Sequence, residues 1–244
     1  MEERKSNSPH RLIREEIAAY ITGLGIEEWK YFSSSTFINW KIMFEDFVPR
    51  YLRGKVLDAG CGHAPYLEII KKFSTQIVLL DYNLSHNEQA ICADVQHLPL
   101  LNNSMDSILS IQVLEHVANP FEAMKEAGRV LNSGGILLLS VPHLSRLHEL
   151  PHDYFRFTEY SLKQLAEISG FEVLEIVPTG GLWCFLEHQV SLALLIYLWK
   201  IRALRKVTIL LNKYFLTYPG IFIDRLFGMN SLFPQGYALA AKKR

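Results

Sequence analysis

The chain has 244 residues, 49% of them hydrophobic, so it is long enough for one large domain or two small ones and too apolar for wholesale disorder. Its formal net charge is zero, which gives it no general electrostatic attraction to nucleic acid. The cysteines Cys61, Cys92 and Cys184 are far apart and lack Cys-x-x-Cys spacing. They suggest neither a disulfide framework nor a zinc site, and we expect a reducing, cytoplasmic location.

Residues 1–51 are predicted to form a helical cap. The first residues are charged and no apolar core follows them, so no secretory signal is expected. Hydrophobic residues recur at helical spacing from Leu12 to Ile21, after a Ser8-Pro9 pair that is typical of a helix start. Residues 27–51 are rich in aromatic side chains, and we favour packing against a sheet as their role.

The most informative stretch of the sequence is residues 56–65. An apolar run ends in Asp58, and Gly60 and Gly62 follow one residue apart before a predicted helix. Glycine can take the positive φ angles of a sharp turn, and without a Cβ it lets a ligand lie against the backbone. Free N–H groups at the start of the helix would add to such a site. The pattern predicts a nucleotide-type pocket, but a dinucleotide fingerprint would need a third glycine where the chain has Pro65.

Strands and helices alternate from Lys55 onward. Alternation with continuous apolar strands predicts a doubly wound parallel sheet with helices on both faces. Residues 132–135 are typical of a helix stop, and residues 237–241 are predicted to form a terminal antiparallel strand. The predicted strands before it are 55–58, 76–81, 90–92, 107–112, 136–141 and 171–177, and the predicted helices are 66–73, 120–131 and 158–169.

Asp81 ends the second predicted strand, about twenty residues after the glycines. At this place and spacing, an acidic side chain can accept both ribose hydroxyls of a nucleotide. An ordinary helix cap or loop acid is the alternative, and the neighbouring glycine loop favours ribose binding.

The string Val56-Leu57-Asp58-Ala59-Gly60-Cys61-Gly62 resembles motif I of the class I S-adenosylmethionine-dependent methyltransferases. Residues 93–95, 105–117 and 134–142 resemble, in the same order, that family's adenine contact, its fourth motif and the strand after it. The resemblance covers roughly residues 52–180. It implies a Rossmann-like methyltransferase fold with a mostly parallel seven-stranded sheet, and S-adenosylmethionine as the cofactor.

The same resemblance implies a set of cofactor contacts. Asp94 would accept the adenine amino group, with a plain turn residue as the alternative. The resemblance also implies that the N-terminal helices cover the cofactor pocket. Packing of their aromatic residues against the sheet, without a role in the pocket, is the alternative. The implied contacts are Asp58, Gly60, Gly62, Asp81, Tyr82, Asp94, Val95 and Gln112.

Methyl transfer by in-line displacement depends on holding donor and acceptor aligned, and an oxygen acceptor also benefits from a general base. His116, His143 and His152 fall in loops expected on the cofactor side, and each could equally be structural. We predict His143 or His152 as the base. Arg156, in the segment 152–157, is predicted to clamp a carboxylate or phosphate of the acceptor.

The sequence also contains candidate ligands for a metal ion. Some family members bind magnesium through Glu-x-x-Glu-His after the fourth strand plus another histidine. Here Gln112 replaces the first glutamate, which leaves Glu115, His116 and, as a further candidate, His143. Losing a charged oxygen ligand disfavours a hard cation, so no metal is expected.

Residues 179–235 do not fit the minimal fold. The apolar run at 190–199 is too short to span a bilayer, which takes about 20 apolar residues. After His188 the sequence has very few acidic residues and many basic ones. This composition is typical of interfacial helices on anionic membranes. A helical hairpin that packs on the core or forms a homodimer is the alternative. Because the sixth strand should end at the cofactor edge, we expect this segment beside the active site.

Four segments are therefore predicted: a helical cap (1–51), a cofactor-binding core (52–178), an apolar and basic helical insertion (179–235), and a final strand with a basic tail (236–244). The leading hypothesis is O-methylation of a small hydrophobic or lipid-linked acceptor by a cytoplasmic protein peripheral to a membrane. A non-catalytic binding or scaffold protein of the same fold is the first alternative. RNA methylation is disfavoured because no zinc ribbon, basic N-terminal arm or Asn-Pro-Pro-Tyr-type motif is present, so no nucleic-acid partner is expected.

Overall fold

The structure, a computed structural model, describes residues 34–84, 87–198 and 201–244, so the helix predicted near residues 12–21 lies outside the described residues. The strands are β1 (Lys55–Ala59), β2 (Gln76–Asp81), β3 (Ile91–Cys92), β4 (Met105–Ile111), β5 (Leu131–Pro142), β6 (Phe171–Thr179) and β7 (Gly236–Lys243). The α-helices are α1 (Ser34–Trp40), α2 (Val48–Tyr51), α3 (Leu67–Ile70), α4 (Pro120–Val130), α5 (Glu159–Ile168), α6 (Leu182–Leu198), α7 (Arg205–Leu211) and α8 (Tyr218–Phe227). Lys41–Phe47 and Asn212–Thr217 are π-helical, and Leu114–His116 and Arg202–Leu204 are 3-10 turns.

The strands form one seven-stranded sheet in the order β3-β2-β1-β4-β5-β7-β6. Neighbours from β3 to β5 are parallel, whereas β7 is antiparallel to both β5 and β6. The predicted doubly wound, mostly parallel sheet with a terminal antiparallel strand is confirmed. Because β5 and β6 are both antiparallel to β7, they run the same way and end at the same edge of the sheet.

Hydrophobic cores cover both faces of the sheet, since successive residues of a strand point to opposite faces. On one face, Leu57 and Leu137 pack with α4 and α5. On the other, Val56 and Leu138 pack with α1, the π-helical segment after it and α2. Phe47, one of the aromatic residues predicted to pack against the sheet, is fully buried there.

The helix predicted at 66–73 is shorter in the structure. The chain forms only the single turn α3, and two of its first N–H groups already donate within the loop: Leu67 N to Ala64 O at 3.2 Å and Ile69 N to Tyr66 O at 2.9 Å. The start of this helix therefore adds little to a ligand pocket.

The helix predicted at 120–131 ends where expected, to within one residue, but residues 132–135, predicted as its stop signal, already belong to β5. Helix α4 ends at Val130, and β5 begins at the next residue. Pairing with β4 jumps from Met105↔Leu131 to Ser107↔Ile136, so residues 132–135 form a bulge within the strand pair. Asn132 Nδ2 donates to Asp106 Oδ1 at 2.7 Å and holds the bulge, which explains why a turn-like sequence stands inside a strand.

The insertion between β6 and β7 is held together by a buried carboxylate. Asp224 on α8 accepts the backbone N–H groups of Trp183 and Cys184, both at 2.9 Å, and so caps the start of α6. A Cβ on Gly181 would lie 2.6 Å from Asp224 Cγ, so glycine is needed for this close approach. In the described parts of the chain, no helix is long and apolar enough to cross a bilayer.

We expect Asp224→Ala to lower the free energy of unfolding by about 2–4 kcal/mol, because two largely buried N–H groups lose their acceptor. Thr158, the exposed cap of α5, accepts Ser161 N at 3.1 Å and is the matched control, with an expected cost of about 1 kcal/mol for Thr158→Ala. Urea unfolding of both variants measures the difference. An equal loss of free energy of unfolding in the two variants would contradict the role of Asp224 as a buried cap.

Candidate cofactor and active site

The glycine loop after β1 is held against the end of β2. Gly60 N and Cys61 N donate to Leu80 O at 2.8 and 3.0 Å. Gly60 has a φ of +82° and Gly62 a φ of +51°. A Cβ on Gly60 would collide with Val113, whereas a Cβ on Gly62 would meet no atom within 4 Å. Gly60 is therefore required by packing, and Gly62 borders open space that a ligand can approach.

The carboxylate of Asp81 lies directly at this loop. Asp81 Oδ2 accepts Gly62 N at 2.8 Å, and Oδ1 accepts Asn83 N at 2.9 Å. The structure thus brings together the glycine loop and the strand-end acid, which the sequence predicts as two parts of one pocket. Tyr82, the next predicted contact, is 74% exposed beside it.

Asp94 is placed near Asp81 by the bond from Ala93 N to Asp81 O at 3.0 Å. Both its carboxylate oxygens accept from Gln96, from the backbone N and from Nε2, each at 2.8 Å. This is an Asx-type turn, so the turn interpretation of Asp94 describes its present contacts. An adenine contact by Asp94 stays a prediction.

Two more of the predicted cofactor contacts, Val95 and Gln112, lie around the loop after β4. Val95 lines a small apolar cavity together with Ala59 and Val113. Gln112 has a φ of +55°, and its side chain donates to Ser140 Oγ at 3.3 Å. Gln112 therefore shapes the loop after β4, and its cofactor contact stays a prediction.

Asp58 is buried under the glycine loop. It is 3% exposed, and its Oδ2 has no hydrogen-bond partner in the described part of the chain. Burial raises the pKa of Asp58 to about 7, and the nearby charge of Asp81 acts in the same direction. Phe44 of the helical cap stacks on Tyr66 with 4.2 Å between ring centroids, so the cap packs next to this loop as well as on the sheet.

This raised pKa gives a pH-dependent prediction for Asp58→Asn. Between about pH 4 and about 7 the unfolded chain has released the proton that folded Asp58 keeps, so the wild type loses stability as pH rises. The asparagine variant lacks this loss. The free energy of unfolding of Asp58→Asn should therefore rise relative to that of the wild type up to about pH 7 and then stay constant. The size of this gain is about 1.4 kcal/mol per unit of difference between the folded and unfolded pKa of Asp58. Urea unfolding at several pH values checks it, and a flat difference would contradict it.

The two predicted bases contact different elements. His143 N donates to Gln235 O at 2.7 Å, and the ring of His143 lies 5.9 Å from that of Tyr237. His152 is exposed, with Nδ1 2.7 Å from the hydroxyl of Tyr154. No hydrogen bond joins the two histidines in the residues that the structure describes, so each would act as a base alone.

Arg156 has no donor left for an acceptor in this arrangement. Nη1 and Nη2 donate to Asp153 Oδ1 and Oδ2 at 2.6 and 2.8 Å. The remaining N–H groups donate to three backbone oxygens, those of Ser145, Arg146 and Phe155. In this arrangement the guanidinium fixes the loop between β5 and α5, and its contact with an acceptor stays a prediction.

One cluster was not predicted in full from the sequence. His116 and His148 both approach the buried carboxylate of Glu115, and the three form a group of potential metal ligands. The sequence indicated Glu115 and His116 but named His143 as the third candidate. His148 carries no spacing signal, because only the folding of the loop after β5 brings it to the loop after β4.

The sheet order, together with a glycine loop that is bonded to a strand-end acid, defines a Rossmann-like arrangement of the nucleotide-binding type. A family model described as "Methyltransferase domain" matches residues 57–139, which contain both elements. Residues 57–139 thus carry a methyltransferase domain similar to those of S-adenosylmethionine-dependent methyltransferases, whose cofactor is S-adenosylmethionine. The bare backbone at Gly62 and the carboxylate of Asp81 fit an adenosyl group and its ribose hydroxyls.

Similar proteins support the same class. An uncharacterised protein from Methanocaldococcus jannaschii is 36% identical over 126 residues, covering 49% of this chain and 55% of that protein. A probable S-adenosylmethionine-dependent methyltransferase from Mycolicibacterium smegmatis is 29% identical over 148 residues, covering 54% and 58%. The chain spans little more than half the length of these curated relatives. A SAM-dependent methyltransferase structure from Archaeoglobus fulgidus has the same fold, with a TM-score of 0.57 at 19% identity over 89% of this chain and 98% of that one.

Proposed function

We propose that the protein is an S-adenosylmethionine-dependent methyltransferase that methylates an oxygen of a hydrophobic, lipid-linked acceptor at an anionic membrane surface. The observation that carries the acceptor class is the apolar and basic surface of the insertion, which lies beside the sheet edge that holds the cofactor pocket.

The surface of the insertion is apolar and basic among the described residues. Tyr197 and Phe215 are 78% and 72% exposed. The acids of residues 180–235 are Glu187 and Asp224, and both are buried, whereas bases such as Arg225 are exposed. Exposed apolar side chains accompanied by bases and no exposed acid are typical of surfaces that bind anionic lipid.

The insertion also contacts the predicted catalytic loop. Gln235, near its end, donates to Thr179 O at 2.9 Å and accepts His143 N at 2.7 Å. On α6, burial and, to a smaller extent, the charges of Arg146 and His148 together lower the pKa of His188 to about 4, so α6 faces the loop after β5. An acceptor held by the insertion would therefore reach the residues predicted for catalysis.

S-adenosylmethionine supplies a methyl group on a sulfonium, which is an electrophile. The contribution of this chain is to align the acceptor oxygen with that carbon and to take its proton. His143 or His152 would accept the hydroxyl proton as the oxygen–carbon bond forms and the sulfur–carbon bond breaks. The proton then leaves through solvent, which reaches His152.

The acceptor class is tested with methyl-labelled S-adenosylmethionine and a total membrane lipid extract. We expect label in the chloroform phase with the wild-type protein and none with Asp81→Asn. Label found only in water-soluble products would overturn the proposal of a lipid-linked acceptor, but it would still support methyl transfer. Calorimetry that detects no S-adenosylhomocysteine binding would overturn methyl transfer itself.

The membrane surface is tested by co-sedimentation with phosphatidylcholine vesicles, with and without phosphatidylglycerol. We expect binding to the anionic vesicles and a loss of at least about 10-fold with Lys206→Glu/Arg225→Glu, since each base near the surface contributes about 1 kcal/mol. Tyr160→Ser, at an 82% exposed aromatic residue on α5, is the matched control and should bind as the wild type. No sedimentation together with a concentration-dependent dimer would favour a dimer interface instead.

A further inference from the structure

Three side chains meet between the loop after β4 and the loop after β5. Glu115 Oε1 lies 3.7 Å from His116 Nε2 and 3.8 Å from His148 Nε2, and the three ligand atoms are all within 4.8 Å of one another. We propose that Glu115, His116 and His148 bind a divalent first-row transition-metal ion, with Zn²⁺ as the best match.

The first argument is the burial of Glu115. Its side chain is 0% exposed, and neither carboxylate oxygen has a hydrogen-bond partner in the described part of the chain. Its backbone oxygen accepts Tyr154 N at 2.9 Å and Phe155 N at 3.2 Å, which fixes the residue where it is. A buried carboxylate without hydrogen bonds is costly unless a positive charge or a metal compensates it.

The second argument is the tautomer of both imidazoles. His116 Nδ1 lies 2.6 Å from the carbonyl oxygen of His152, and His148 Nδ1 lies 3.2 Å from that of Arg146. A carbonyl oxygen only accepts hydrogen bonds, so Nδ1 carries the proton in each ring. In the neutral imidazole this leaves the lone pair on Nε2, the atom that approaches Glu115. Metal-bound histidines typically donate their other N–H to such an oxygen.

The loop that carries His148 is rigidly held. Asp153, whose side chain is fully buried, accepts His148 N at 2.8 Å and pairs with both terminal nitrogens of Arg156. Arg156 is thus a positioning residue for His148, because it orients the carboxylate that anchors the loop. This accounts for the use of all its donors within the chain.

The ligand set and its size fit a transition metal. With bonds of about 2.0–2.2 Å in a tetrahedral site, neighbouring ligand atoms are roughly 3.4 Å apart, a few tenths of an ångström closer than Glu115 is to the two histidines. Two nitrogens and one carboxylate suit Zn²⁺, whereas Mg²⁺ and Ca²⁺ prefer oxygen. The site also differs from the magnesium arrangement considered from the sequence, since Gln112 donates to Ser140 and His148 replaces His143.

Three protein ligands leave one tetrahedral position for an exogenous oxygen. An acceptor hydroxyl in that position would lose its proton more readily, because a bound cation lowers the pKa of an oxygen ligand. This step rests on the proposed methyl transfer, whereas the metal site does not.

The competing explanation is a cluster that holds protons. Burial by itself lowers the pKa of His148, but the carboxylates of Glu115 and Asp153 and the carbonyl of Arg146 outweigh it and raise that pKa above its usual range. A protonated His148 would then compensate Glu115 without a metal.

The experiment is titration of the chelator-treated full-length protein with Co²⁺, followed by visible absorption, and competition with Zn²⁺. We expect one equivalent to bind to the wild type and at least about 100-fold weaker binding to Glu115→Gln and His148→Ala, since even removing outer partners of metal ligands costs about 10–100-fold. His97→Ala, at an exposed histidine away from the cluster, should bind as the wild type.

Circular dichroism of each metal-free variant shows whether it folds. If Glu115→Gln does not fold, His148→Ala decides, because that side chain is 22% exposed and its removal leaves the buried carboxylate in place. A wild type that binds no Co²⁺, or a folded His148→Ala that binds it normally, would overturn the metal site. S-adenosylhomocysteine calorimetry on the metal-free protein keeps this result separate from the test of the cofactor pocket.

Discussion

Asp81→Asn is expected to weaken binding of S-adenosylhomocysteine by about 100-fold or more. The carboxylate contacts the glycine loop through Gly62 N and is the predicted acceptor for both ribose hydroxyls. Hydrogen bonds to a charged group contribute about 1.5–3 kcal/mol each, and one lost bond of that size together with a misplaced amide donor reaches 100-fold. Isothermal titration calorimetry at constant pH measures the change, and thermal unfolding confirms that the variant folds.

Asp46→Asn is the matched control for this substitution. Asp46 pairs with Arg50 on the helical cap, and both side chains are 48% exposed, so the loss of this pair should change stability and cofactor affinity little. Wild-type affinity in Asp81→Asn would contradict the placement of the ribose at this acid and, with it, the assignment of the pocket.

The sheet was predictable because its signals are local. The apolar runs of β1, β4 and β5 are largely buried strands, and strand-end rules place Asp81 at the glycine loop without knowledge of the rest of the chain. Local signals also placed the end of the helix before residues 132–135, but they did not show that these residues form a bulge between β4 and β5. A turn-forming sequence indicates a local bend of the backbone, but it does not determine whether a helix or a strand continues.

The loop after β5 was predicted least well, because its contacts join residues far apart in sequence. His148 meets Glu115 across 33 positions, and Arg156 finds its acceptors within its own loop, which no spacing rule anticipates. A sequence shows that an arginine or a histidine is present; its partner depends on the path of a long irregular loop. The proximity of Asp81 to the glycine loop is therefore predictable from the sequence, whereas the contacts of the loop after β5 are not.

Gly60→Ala is expected to lower the free energy of unfolding by about 2–5 kcal/mol. A non-glycine residue at a left-handed φ costs roughly 1–2 kcal/mol, and forcing a Cβ against Val113 adds about 1–3 kcal/mol of overpacking. Gly170 has a similar φ of +87° with no atom within 4 Å of an added Cβ, so Gly170→Ala should show the backbone cost alone. Urea unfolding of the two variants separates the backbone cost from the overpacking cost. Equal losses of free energy of unfolding would mean that Val113 moves aside without a measurable cost.

Two further variants connect this packing argument to the cofactor. Val113→Ala in the Gly60→Ala background should recover part of the lost stability, because it removes the side chain that the new Cβ meets. Gly62→Ala should fold with a loss of only about 1 kcal/mol, since the neighbouring Ala64 already has a φ of +50°, yet it should weaken S-adenosylhomocysteine binding at least about 10-fold by placing a methyl group in the open space beside Asp81. A Gly62→Ala variant that binds the cofactor normally would mean that the ligand does not lie against this part of the loop, and the pocket would then have to be placed on the other side of Gly60.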